Sequence, residues 1–89
     1  MRIRGKQIAA ARELLGITQE ELAVAAGVGR QTIATFESGQ TDPRAESLDK
    51  LRRELEHRGI EFSNSDGMGV RLNFDKAEKA ARAGSGSVQ

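Results

Sequence analysis

Arg30 and Gln31 stand side by side at the start of the segment RQTIATFE. A guanidinium is a planar fork of donors, and a carboxamide sets a donor beside an acceptor. These groups can grip a base edge at two points: Arg on guanine O6 and N7, Gln on adenine N6 and N7. Thr35 lies four residues after Gln31, on the same side of a helix, within reach of a base edge or a thymine methyl. Thr32 is better suited to phosphate or backbone, and Ala34 offers only a methyl contact. Arg30 could also touch phosphate alone, because phosphate bonds outnumber base bonds at such surfaces.

Such side chains need a rigid mount. Thr18 and Glu21 have capping-box spacing, which predicts a helix over residues 18–26. Gly27 follows its apolar run and can end it in the left-handed conformation. A second helix over residues 30–38 is closed by Gly39; it buries Ile33 and Phe36 and turns Arg30, Gln31, Ala34 and Thr35 outward. A helix pair with Arg and Gln at the N-terminal end of its second member suits a DNA major groove.

The remaining elements follow from periodicity. Ile8, Ala11 and Leu15 form an amphipathic stripe over residues 5–15, ended by Gly16. Leu48, Leu51 and Leu55 mark a fourth helix over residues 45–58, ended by Gly59, with Asp42 or Arg44 as its cap. Beyond it the period changes to two. GIEFS and VRLNF flank the turn-forming run NSDGMG, which predicts a β-hairpin of strands 60–63 and 69–74. Residues 75–89 open like a short helix and are expected to end in a flexible Gly/Ser tail. The expected core is Ile8, Leu15, Leu22, Val28, Ile33, Phe36, Leu48, Leu51 and Leu55.

Composition narrows the functional classes. Eighty-nine residues allow one small core. Without cysteine there are no disulfides or thiolate metal sites, and one histidine, His57, makes zinc improbable, so no metal or cofactor is expected. The pairs Glu20–Glu21 and Glu54–Glu56 are surface helix positions with no partner nucleophile, so no catalytic set is expected. No apolar run reaches membrane-spanning length and no signal-peptide core follows MRIRGK, so the expected location is cytoplasmic, away from membranes. The net charge of +1 is a weak pointer to nucleic acid. Its distribution says more: residues 1–12 carry Arg2, Arg4, Lys6 and Arg12 and no acid. Arg2, Arg4 and Lys6 could form an arm toward phosphate, or simply a solvated terminus.

TQEELA, AAGV, RQTI and FESGQ, in this order and spacing, resemble the Cro/CI-like (XRE) helix-turn-helix regulators of bacteria and phage over residues 5–58. The ending GIEF…GMGVRL is similar to small members with a C-terminal hairpin. The resemblance implies a mainly α fold, a compact four-helix domain at 1–58, followed by the hairpin at 59–74 and the tail at 75–89. It also implies that Gln19 bonds a phosphate at a helix N-terminus. Thr32, Ser38, Gln40 and Arg44, with Thr41 beside them, would lie along the duplex backbone. Arg12 and Glu37 would form a partly buried ion pair between the first and third helices. Gly29 stands where the family commonly has Ser or Thr as a cap, which removes one hydroxyl from that set.

Two functional classes remain. The first is a transcriptional regulator reading double-stranded DNA, as a symmetric dimer because one helix reads only a few base pairs. Its hairpin, carrying Ile60, Phe62, Val70, Leu72 and Phe74, would pair with its twofold mate or else cap a monomer. The second is a protein-interaction module on the same fold, such as an antitoxin or a transcription adaptor with a protein partner.

Overall fold

The computed structural model describes residues 2–88, with side chains as far as Arg82. Local signals set most helix ends. Helix α1 (Gly5–Leu15) is closed by an Ile17 N–H that reaches back to the Arg12 carbonyl at 3.1 Å. Helix α2 (Gln19–Ala26) opens with the capping box: Glu21 N donates to Thr18 Oγ1 at 3.0 Å, and Thr18 N donates to Glu21 Oε1 at 3.1 Å. Gly27, at φ 77°, ends α2 in a conformation that a side chain would penalise. Helix α3 (Arg30–Glu37) follows after Val28 and Gly29, and α4 (Ala45–His57) follows its N-cap Arg44, whose side chain makes no cap bond.

Ile8, Leu22, Ile33, Phe36, Leu51 and Leu55 are buried as their spacing predicts, with Leu15, Val28 and Leu48 packed partly buried around them. The core also takes in Ile3, 2% exposed, and Ile60, 1% exposed, from outside the four helices. Among the described residues the chain is thus mainly helical, with one two-stranded antiparallel sheet sharing the helical core. No helix among those residues is long and apolar enough to cross a membrane.

Strands β1 (Ile60–Ser63) and β2 (Gly69–Leu72) pair with Ile60 opposite Leu72 and Phe62 opposite Val70. These four side chains therefore share one face, and that face packs on the protein's own core. The other face carries Glu61 and Arg71, paired at 2.9 Å. Lys76 Nζ also bonds Glu61 at 2.9 Å and Asn73 Nδ2 bonds it at 3.2 Å; Lys76 first, then Asn73, holds the Glu61 carboxyl below its usual range.

The second strand is shorter than its sequence pattern predicts, ending at Leu72 rather than residue 74. Asn73 is the reason. Its N–H donates to the Gly59 carbonyl at 2.8 Å, and its Oδ1 accepts from Lys76 N at 3.1 Å, the bond of a helix cap. The chain therefore turns into helix α5 (Phe74–Val88), whose first residue, Phe74, is 79% exposed and is not a strand residue. The helix also runs further than the short one expected before a flexible tail. Its opening, DKAEKAARA, is rich in helix formers. Gln89 lies outside the described residues.

The hairpin is latched to α1 by Gln7, the one buried polar residue of the described core. Gln7 Nε2 donates to Asn64 Oδ1 at 2.7 Å and to the Gly69 carbonyl at 3.0 Å, while its Oε1 accepts from Arg4 N at 2.9 Å. A buried amide satisfied at both ends costs little and fixes the hairpin's position. Two residues earlier, Gly5 packs against the end of α3. A Cβ there would lie 1.9 Å from the Phe36 carbonyl oxygen, a backbone atom that cannot step aside. Gly5→Ala is expected to cost about 1–3 kcal/mol in urea unfolding, by forcing α1 and α3 apart. Wild-type stability in that variant would show that the contact carries no such constraint.

Candidate nucleic-acid interface

The mount for α3 is an ion pair between helices. Arg12 Nε lies 2.7 Å from Glu37 Oε2, and Nη2 donates to Oε1 at 2.8 Å, so both carboxylate oxygens are held. The third nitrogen, Nη1, donates to the Ile17 carbonyl at 3.0 Å, in the α1–α2 connection. Gln19 Nε2 adds a bond to Glu37 Oε1 at 3.0 Å. The two side chains are only 14% and 8% exposed. The Glu37 hydrogen bond holds the Arg12 guanidinium above its usual range, against the opposing effect of burial. One cluster thus ties α1, the start of α2 and the last residue of α3.

That cluster changes the picture of Gln19. It is half-buried, and its amide is partly engaged in supporting Glu37. That bond uses one of its two amide hydrogens. Sequence spacing alone gives no sign of this attachment to Glu37, because the partner is 18 residues away and depends on how α2 meets α3.

Arg30 and Gln31 are exposed at the start of α3. Arg30 stands 3.9 Å from Glu20, with both side chains well exposed. A pair of that length in solvent contributes little and can yield to a stronger partner. Gly29 caps α3 at φ −75° without any side-chain bond.

Thr35 is half-buried, and its hydroxyl is turned back into the protein. Oγ1 donates to the Gln31 carbonyl at 3.0 Å, with the Thr32 carbonyl at 3.3 Å, and Thr41 Oγ1 donates to it at 3.2 Å. Its carbonyl is as busy, accepting from Ser38 Oγ at 3.1 Å and from Gln40 N at 2.9 Å. The base-contact expectation for Thr35 therefore narrows to its methyl group, the hydroxyl being engaged in the back-bond common for Thr in helices. Thr35 is the hub from which the loop after α3 departs. Thr41, expected beside the contacts along the duplex backbone, belongs to that hub.

The remaining expected contacts lie on α3 and on the loop that leads from it into α4. Thr32 is half-buried, whereas Ser38, Gln40 and Arg44 are exposed along the exit of α3 and the loop into α4. Gln31 and Thr35 fall at i and i+4 on one side of α3, and Ser38 follows as its C-cap. The five residues expected at a dimer surface lie elsewhere. Ile60, Phe62, Val70 and Leu72 face the protein's own core, and only Phe74 is open. Among the described residues no His, Asp and Glu cluster could hold a metal ion.

A helix pair of this geometry, with Arg and Gln exposed on its second helix, defines a helix-turn-helix module. Residues 8–59 match the helix-turn-helix family, and the chain belongs to it, in its XRE type. Over 46 residues the chain is also 44% identical to an uncharacterized HTH-type transcriptional regulator of Haemophilus influenzae (strain ATCC 51907 / DSM 11121 / KW20 / Rd). That match spans 52% of this chain and 47%, about half, of the relative.

Removing Glu37 strands the Arg12 charge in a site shielded from water. Glu37→Ala is expected to lower unfolding stability by about 3 kcal/mol. A thermal midpoint close to wild type would remove the ion pair from the account of how α3 is held.

Proposed function

We propose that the chain is a transcriptional regulator that reads double-stranded DNA in the major groove with α3. The observation that carries this reading is the exposed Arg30–Gln31 pair at the N-terminal end of α3, on a mount fixed by buried charge. The family supports a DNA-binding role, and the Haemophilus influenzae relative's name supports regulation of transcription. Arg30 and Gln31 read base edges, and the Thr35 methyl adds an apolar contact. Gln19, Thr32, Ser38, Gln40 and Arg44 run along the phosphates.

The regulator acts as a symmetric dimer on two half-sites centred about 10 base pairs apart. Because Ile60, Phe62, Val70 and Leu72 pack inward, a mate would be engaged through a strand edge and the exposed Phe74. In this reading the hairpin both completes the monomer's core and offers a surface to the second copy.

Selection from a random duplex library at near-physiological salt tests both parts. Enrichment of an inverted repeat is the expected result. A single unrepeated half-site would overturn the dimer, and no enrichment would overturn DNA reading in favour of a protein partner. On the enriched duplex, Gln31→Ala is expected to relax base choice at one position per half-site, a loss of about 1–3 kcal/mol in discrimination. Gln19→Ala should instead weaken matched and mismatched duplexes alike. Equal losses on both duplexes for both variants would contradict this division of roles.

A further inference from the structure

The N-terminal segment is held in place by specific contacts. Ile3 is buried in the core, while Arg2 and Arg4 on either side of it are exposed, the alternation of an extended strand. The Arg2 carbonyl accepts from Asn64 Nδ2 at 2.5 Å, and the Arg4 carbonyl receives the first backbone bonds of α1, from Gln7 N at 3.0 Å and Ile8 N at 3.3 Å. Two arginines are thereby fixed at the backbone, with Lys6 exposed on the first turn of the helix that follows.

These cations border a cleft at the exit of α3. Arg2, Arg4, Lys6, Gly39 and Asp42 line it together with Met68 at the hairpin tip. Most basic side chains of the described residues are paired with carboxylates, those of α4 in a run of surface pairs. Arg4 and Lys6 make no ion pair among the described residues, nor does Arg44 at the far end of the same loop. Arg2 has one partner, Asp42, in the same lining. Both members of that pair are about two-thirds exposed, so it is a surface contact that another anion can replace.

We propose that this cleft is a phosphate site for the DNA backbone, with Arg2, Arg4 and Lys6 as its donors and Asp42 as an internal stand-in for the phosphate in the free protein. The inference rests on the DNA-reading function above and extends that interface past the end of α3. Charge complementarity argues for it: uncompensated cations adjoin the loop already assigned to the duplex backbone. Anchoring argues for it as well, because cations held at the backbone lose less freedom on binding than a loose arm would. On docking, a phosphate displaces the Asp42 carboxylate from Arg2. Asp42 thus lowers affinity for every duplex equally, without any bearing on base choice.

The test uses the full chain, the duplex enriched by selection and a scrambled duplex of equal length, with affinities measured across a salt series. Arg4→Gln and Lys6→Gln are each expected to weaken both duplexes by the same factor, up to about tenfold near 0.1 M salt. Each should also flatten the slope of log affinity against log salt by about one. Asp42→Asn is expected to tighten both duplexes several-fold. A merely structural role for these residues would shift the melting temperature and leave the salt slope unchanged; unchanged slopes in both cation variants would overturn the site. If the wild-type chain binds the duplexes and those slopes do not move, only the cleft fails. If the wild-type chain binds neither duplex, the cleft and the DNA-reading function fail together.

Discussion

The Arg12–Glu37 pair is the constraint on which the interface depends. Helices α2 and α3 have eight residues each, too short to persist alone in water. They are helical because Leu22, Ala23, Ile33 and Phe36 are buried against α1 and α4. Apolar packing is not directional, however, and tolerates small rotations of a short helix. A carboxylate gripped at both oxygens does not. By holding the last residue of α3 against both α1 and the α1–α2 connection, Arg12 sets the angle at which the exposed side of α3 is presented. A buried ion pair is poor evidence of stability in itself. Here its directionality matters more than its strength.

Helix α1 links this constraint to the rest of the molecule. Within three residues it offers Gly5, whose missing side chain admits the Phe36 carbonyl, and Gln7, whose amide holds Asn64 and Gly69. The end of α3 and the hairpin therefore share one rigid support. Gly59, at the junction of α4 and β1, repeats the close approach on a smaller scale, since a Cβ there would meet the Asn73 carbonyl and the Ala77 nitrogen at 2.8 Å. That contact sets where α5 begins, next to the hairpin's charged face.

Much of the helical part was legible in the sequence because its signals are local. Thr18 with Glu21, the glycines that close helices and the three-four spacing of Leu48, Leu51 and Leu55 all act within one or two turns. Ile3 and Gln7 were not legible in the same way. Ile3 lies outside any periodic run, and Gln7 is buried only because residues 64 and 69 come back against it across more than fifty positions. Phe74 misled for a related reason. It continues the alternation of VRLNF, but the cap made by Asn73 overrides that pattern two residues earlier. At the candidate interface, residue type singled out Arg30 and Gln31, which have little tertiary attachment. It did not disclose the inward bonds of Gln19 and Thr35, whose partners depend on how helices and loops meet.

The side chains that hold α3 in place and those that face outward from it are different residues. Ile33, Phe36 and Glu37 look inward, whereas Arg30 and Gln31 have no structural duty beyond a long surface pair with Glu20. If α3 reads DNA as proposed, a change at either outward position alters the preferred sequence without first having to survive a loss of folding. In that reading base preference is separable from stability, because substitutions at Arg30 or Gln31 leave the buried support of α3 untouched.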